Sequence, residues 1–188
     1  MNLILIRHGK TEANERHLYC GATDLPLSER GKAELLEQKQ TMKYPDVTGM
    51  CVLTSGMRRC EETLCLLYGN VPHDTVTAFR EMDFGAFEMR AYSEMKDDPD
   101  YIAWITGDNE ANVTPGGESG KIMTARVLAA LDDLIADAKD TLLVTHGGVI
   151  AAIMAHLFPG EGKNRYEWQP KPGGGYVIEL TVGNYHCL

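Results

Sequence analysis

The stretch Leu3-Ile4-Leu5-Ile6-Arg7-His8-Gly9-Lys10-Thr11 decides how this chain is read. Leu3–Ile6 is short, continuous and β-favouring, so it is expected to be a strand buried on both faces. At its tip stand a guanidinium and an imidazole, followed by a glycine that lets another group approach the backbone. Such a set is well suited to holding a phosphoryl group beside a nitrogen nucleophile. A second apolar run, Leu142-Leu143-Val144-Thr145, ends in His146-Gly147-Gly148 in a matching setting.

Working outward from these two strands, strands and helices alternate. Ser28 can cap a helix to about Lys43, where Tyr44-Pro45 ends it. Cys51–Thr54 reads as a second buried strand. Ser55 is expected to cap the helix that follows, with Met57, Cys60, Leu64, Leu67 and Tyr68 on one face. Thr75–Phe79 is a weaker extended segment, and Glu81–Arg90 a loop containing Gly85. Tyr92–Ile105 can be helical, interrupted near Asp98-Pro99. Pro115-Gly116-Gly117-Glu118-Ser119 opens a long helix whose stripe is Met123, Val127, Ala130, Leu131, Leu134 and Ala138. Val149–Leu157 is another helix. Tyr176–Val182 alternates, with Tyr176, Ile178, Leu180 and Val182 on one face, and is expected to be a half-exposed edge strand.

This order predicts a three-layer α/β/α sandwich with a mostly parallel central sheet and an antiparallel edge strand. Residues 1–188 are expected to form a single domain, with no repeat or linker. In such sheets ligands bind outside the carboxyl ends of the strands. Arg7-His8, Ser55 through Arg59, and His146 all follow such ends and can meet in one crevice.

A net charge of −9 argues against a nucleic-acid or anionic-membrane surface as the main partner. A phosphate site here must therefore concentrate positive charge locally. Cys20, Cys51, Cys60, Cys65 and Cys187 fit no zinc spacing and are expected to be free thiols in a reducing cytosol. No run approaches the ~20 apolar residues of a membrane span, and the start lacks a signal-peptide layout. A cytoplasmic location is expected. The exposed edge strand offers one route to a homodimer.

The chemistry rests on few residues. His8 as a neutral imidazole can attack phosphorus and become a phosphohistidine. Nearby guanidinium charge disfavours a second positive charge on that ring. His146 precedes a helix whose first N–H groups carry partial positive charge, and can donate a hydrogen bond to a phosphoryl oxygen. Gly147 and Gly148 let the ligand come close. His17, His73, His156 and His186 have no comparable setting. No carboxylate cluster has metal-ligand spacing, so a metal-independent, cofactor-free reaction is expected.

These residues resemble the histidine phosphatase superfamily, in the branch named for cofactor-dependent phosphoglycerate mutase. The resemblance lies in Leu5 through Thr11, Asn14, Leu25-Pro26-Leu27-Ser28 with Gly31, and Ser55-Gly56-Met57-Arg58-Arg59-Cys60 with Thr63. It continues through Glu81-Met82-Asp83-Phe84-Gly85 with Phe87-Glu88, the Pro115–Ser119 loop and His146-Gly147-Gly148. It implies that His8 is phosphorylated, that Arg7, Arg59 and His146 complete the charged pocket, and that Asn14 adds a hydrogen bond. Glu81 would give a proton to the leaving oxygen and then activate water. Glu88 competes with Glu81 for that role, and Arg58 with Arg59; the register favours Glu81 and Arg59. Cys20, Gly21, Glu118, Ser119 and Gly147 are substrate-facing candidates, against the plainer readings that Cys20-Gly21 is a turn and that Glu118 and Ser119 only cap a helix.

Within the family, the short chain points to a hydrolase of a small phosphate ester. Phosphoglycerate mutases of this branch are longer, and Thr11 stands where the acid-phosphatase branch has another arginine. Glu81 through Arg90 looks most like the α-ribazole phosphatases of cobalamin biosynthesis. A mutase and a non-catalytic phosphate-binding module are the alternatives. The segments 92–112 and 163–175 are expected to shape substrate access.

Overall fold

The computed structural model describes residues 1–108 and 110–188; Asn109, inside the segment expected to shape access, lies outside them. Among the described residues six strands form one sheet: β1 (Asn2–Arg7), β2 (Cys51–Thr54), β3 (Asp74–Thr75), β4 (Thr141–Thr145), β5 (Gly175–Glu179) and β6 (Asn184–Cys187). Their order is β3-β2-β4-β1-β5-β6. β1 runs parallel to β4, and β2 parallel to β4 and β3. β5 is antiparallel to β1, and β6 to β5.

The apolar run of β1 is continuous because each of its faces meets a core. Leu3 and Leu5 join Leu143 of β4 beneath α6 (Gly120–Asp137) and α7 (Gly147–Leu157), packing with Met123, Val127, Ile150 and Ile153. Ile4 and Ile6 join Leu142 and Val144 on the other face, beneath α2 (Glu29–Thr41) and α3 (Arg58–Tyr68). Alternate residues of one strand thus feed two cores, which gives the expected three layers.

Local signals hold in most places. Ser28 caps α2 by accepting from the Gly31 N–H at 2.9 Å, and Ser119 caps α6 by accepting from Ile122. The helical stretch near residue 98 breaks as expected: α4 (Tyr92–Met95) and α5 (Pro99–Ile105) flank Asp98, which caps α5. α1 (Glu12–Glu15) is a short turn capped by Thr11.

Four expectations need correction. Ser55 does not cap α3; the cap position is Met57, which has no side-chain oxygen. Thr75–Phe79 is extended only at its start, then tightens into a 3₁₀ turn that buries Phe79. Tyr176–Val182 is not the edge: β5 ends at Glu179 and lies between β1 and β6, and β6 is the edge. Ala138, expected in the buried stripe, is exposed and closes α6 in the left-handed conformation at φ 53°. Of the five free cysteines, Cys60 alone is buried. Among the described residues, no helix is long and apolar enough to cross a membrane.

Candidate active site

Because β1, β4 and β2 are parallel, their carboxyl ends share one edge of the sheet. Arg7 pairs with Thr145 at the end of that register, and the His8 N–H donates to the Thr145 carbonyl at 2.9 Å. This ties the two strand tips together, and with them the two histidines. The rings of His8 and His146 lie 5.1 Å apart, centroid to centroid, at 66°. Two imidazoles far apart in sequence are thus close enough to face one tetrahedral anion.

His8 has a fixed tautomer. Its Nδ1 lies 2.7 Å from the Gly9 carbonyl oxygen, which can only accept, so Nδ1 carries the proton. Nε2 is left with a lone pair. Burial, then the charges of Arg59 and Arg7, hold the His8 pKa well below its ordinary value; the Gly9 carbonyl opposes this. His146 is held down by the same causes, with burial first, Arg59 second and further contributions from His8, Arg7 and Arg126. Both rings are therefore neutral at physiological pH.

His146 is engaged at both nitrogens. Arg59 Nε donates to its Nδ1 at 3.3 Å, and its Nε2 sits 2.9 Å from Ser55 Oγ. Ser55 leaves the helix cap for this contact. Donation from His146 to a phosphoryl oxygen requires release of the Arg59 contact.

Arg59 is 1% exposed. Beyond His146 it donates to the carbonyls of Thr23 at 2.9 Å and Gly21 at 2.7 Å. A guanidinium has five N–H donors, so two remain for a ligand. Arg58, by contrast, points outward to Glu62 at 3.7 Å. Arg7 donates from Nη1 to the Pro170 carbonyl at 2.9 Å, while its buried Nε–H has no partner among the described residues. A buried, unpaired cationic donor costs free energy, and an anion beside it removes that cost. Burial lowers the Arg7 pKa, and Glu81 counters that shift.

Glu81 meets the start of α7. Its Oε2 accepts from the Gly148 N–H at 2.9 Å, and its Oε1 from the Met82 N–H at 3.1 Å. The two glycines there let the site side chains come close: a Cβ on Gly148 would stand 2.4 Å from Glu81 Oε1, and one on Gly147 2.9 Å from Arg7 Cζ, so a larger residue would push them aside. Glu88 has a different set of partners. It accepts from the backbone N–H groups of Gly21, Ala22, Thr23 and Phe84 and from the Thr23 hydroxyl, fastening the 20–23 loop.

Above this floor opens a cleft of about 260 Å³ that includes Arg7, Asn14, Cys20 and Glu81. His8, His146 and Arg59 are buried and do not line it; they adjoin it through Arg7, Gly148 and the Cys20-Gly21 turn. Asn14 commits its side-chain oxygen to the Thr11 N–H and hydroxyl, leaving its amide N–H groups for the cleft. Cys20 lines the wall, its thiol pKa pushed up by burial. Gly21 does not offer its backbone to a ligand: its N–H serves Glu88 and its carbonyl serves Arg59. Glu118 and Ser119 also turn away. Glu118 pairs with Arg126 at 2.8 Å, and Ser119 is only a cap.

The two segments expected to shape access both reach the cleft, 92–112 with Trp104, Ile105 and Glu110 and 163–175 with Arg165, Tyr166 and Gln169, while Tyr19 and Phe84 of the same wall lie outside them. Tyr19, Phe84 and Trp104 pack edge to face, with ring centroids 5.2–6.1 Å apart, and Tyr166 stands opposite in the lining. Arg165 reaches Glu110 at 2.9 Å across the cleft mouth. These contacts join segments distant along the chain, and no periodicity announces them. Among the described residues, no group of three or more His, Cys, Asp or Glu could hold a metal ion.

Comparison with known proteins agrees with this geometry. The chain is 30% identical over 189 residues to the adenosylcobalamin/alpha-ribazole phosphatase of Salmonella typhimurium, covering 97% of this chain and 92% of that one. It superposes on the crystal structure of the alpha-ribazole phosphatase from Shigella flexneri with a TM-score of 0.81 at 28% identity, covering 100% and 95% of the two chains. A phosphoglycerate mutase from Thermus thermophilus gives 0.73 at 28% identity, covering 95% and 93%. The sequence pattern of the Histidine phosphatase superfamily (branch 1) matches residues 3–188, so the chain belongs to that family of phosphatase enzymes.

Proposed function

We propose that this enzyme hydrolyses a small phosphate monoester through a phosphohistidine on His8. One observation carries the reading: a neutral His8, its Nδ1 proton held by Gly9, has its ring centroid 5.1 Å from that of His146 and feels the charges of the buried Arg59 and the half-buried Arg7. The His8 Nε2 lone pair attacks phosphorus in line with the ester oxygen. The P–N bond forms as the P–O bond breaks. The Glu81 carboxyl gives a proton to the departing oxygen. Glu81 then takes a proton from water as that water attacks phosphorus, breaking the P–N bond and releasing inorganic phosphate. The free N–H donors of Arg7 and Arg59 stabilise the equatorial oxygens, a contribution of about 10³-fold or more for a well-placed arginine. Asn14 adds its amide.

The leaving group is a nucleoside carrying a flat heterocycle, and α-ribazole 5′-phosphate fits that description. The edge-to-face wall of Tyr19, Phe84 and Trp104 favours an aromatic ring over a three-carbon acid. The buried Trp104 indole N–H, without a partner among the described residues, can donate to it. A screen of α-ribazole 5′-phosphate, nucleoside monophosphates, sugar phosphates and phosphoglycerates, with and without EDTA, tests this. Phosphate release should be fastest from α-ribazole 5′-phosphate and indifferent to EDTA. Interconversion of 3- and 2-phosphoglycerate without phosphate release would overturn the hydrolase reading.

A further inference from the structure

Arg126 adds only the last-named of the charge effects on His146 to the chemistry described above, and it does not line the cleft. Yet it makes five donations, all directed at one segment or at the carboxylate that grips the same segment. Nη1 donates to the carbonyls of Ala78 and Arg80, both at 2.7 Å. Nη2 donates to the Glu81 carbonyl at 3.0 Å and to Glu118 Oε2 at 2.8 Å, and Nε donates to Glu118 Oε1 at 2.8 Å. Glu118 in turn accepts from the Asp83 N–H at 3.0 Å, and its own N–H donates to the Asp83 carbonyl at 2.8 Å. One guanidinium and one carboxylate, paired through two hydrogen bonds, therefore hold the backbone of residues 78, 80, 81 and 83. Both side chains are anchored to α6, Arg126 within it and Glu118 just before its cap.

From this we propose that Arg126, aligned by Glu118, is a positioning residue that fixes the Glu81 carboxyl at the height of the leaving oxygen. The proposal rests on the reading of Glu81 as proton donor. Residues 80–84 belong to no helix or strand, so no ladder of their own holds the backbone that presents Glu81. The carboxylate itself has two anchors, the Met82 and Gly148 N–H groups, and both tolerate sliding along an oxygen lone pair. Three carbonyls on a rigid planar fork do not slide. A lysine cannot reproduce that fork, because a single ammonium cannot hold three carbonyls and a bidentate carboxylate together. Displacement of a reacting group by about 1 Å can cost about 10²-fold, so the clamp has leverage on rate without touching substrate.

The experiment compares kcat/KM for two esters: p-nitrophenyl phosphate, whose phenolate leaves without help, and a nucleoside 5′-monophosphate, whose alkoxide needs a proton. Glu81→Gln should lose general-acid assistance, about 10²–10⁴-fold, on the nucleotide and far less on the aryl ester. Arg126→Gln and Glu118→Gln should show the same selectivity at smaller size, about 10–100-fold on the nucleotide. Arg126→Lys should not restore it, and the double variant should lose no more than the larger single one. A purely stabilising role predicts equal losses on the two esters and a lowered melting temperature; that outcome, with Glu81→Gln still selective, overturns the clamp and spares the acid. If Glu81→Gln is itself unselective, the acid reading falls and the clamp falls with it. Should Arg126→Gln not fold, the ratio measured for the isosteric Glu118→Gln decides.

Discussion

The floor of the cleft and its outer wall are built by different rules. The floor residues His8, Arg59 and His146 sit on the ends of β1 and β4 or inside the first turn of α3, at 6%, 1% and 0% exposure. His8 directly follows β1, His146 joins β4 to α7, and Arg59 belongs to α3. The wall comes from residues 18–20, from short helices and turns between residues 84 and 105, and from residues 165–169, and Tyr166 is 78% exposed. The nucleophile and its charged partners tolerate little displacement and adjoin the strand ends, with Glu81 the exception on a loop; ligand choice is placed where the chain is free to vary.

The sharpest way to break that contrast is to remove a floor residue and find only a wall-like effect. His8→Ala should abolish turnover, since loss of a nucleophile can cost about 10⁶-fold. Trapping with radiolabelled substrate should then show no acid-labile phosphoenzyme. Residual labelling of His8→Ala would move the nucleophile elsewhere. Arg59→Ala should cost about 10³-fold in kcat/KM, and its stability should fall as well. Its side chain serves the buried Gly21 carbonyl and the half-buried Thr23 carbonyl, and a buried one left unpaired costs about 1–3 kcal/mol. The arginine therefore links floor chemistry to folding.

A second test uses the two neutral imidazoles. Both are held well below their ordinary value by burial first and by Arg59 next. The unfolded chain binds a proton at each near pH 6.5, while the folded chain does not. Unfolded protein thus holds more protons just below that pH, and stability must fall as pH drops. Each histidine that stays neutral below that pH steepens the decline. Thermal melts of the wild type between pH 8 and 5 should decline, and His8→Asn should decline less steeply. Parallel pH curves for the two would show that His8 protonates freely in the fold.

The same division explains what can be read from sequence alone. His8 and His146 are legible because an apolar run too short for a helix stops at a histidine followed by glycine. The two faces of β1 follow from that run. Ser55 misleads because a serine before a helix is a good cap by local rules, while its partner, His146, lies 91 positions away. Glu118 misleads for a related reason. It looks ligand-facing beside two glycines, and only the fold brings Arg126 to both its oxygens. β5 has the look of an edge because Glu179 and Thr181 are polar, but Val177 packs into the second core and the strand has a neighbour on each side. β6, Asn-Tyr-His-Cys, alternates over only four residues, too short a run to announce itself.

The smallest expected effect lies at the wall, and it is the one that defines the contrast. Tyr166 can be removed without opening the core, because its ring is largely in solvent. Stacking of a base on an aromatic side chain contributes about 1–3 kcal/mol, and an exposed ring sits at the low end. Tyr166→Ala should raise KM for α-ribazole 5′-phosphate by about fivefold, with kcat unchanged. It should leave glycerol phosphate untouched, since that ester has no ring to stack. A drop in kcat on both esters would mean that the mouth and the floor move together, with the Arg165–Glu110 pair beside Tyr166 as the connection. An effect on KM for the aromatic ester alone would mean that the wall selects the ligand and leaves the phosphoryl chemistry to the strand ends.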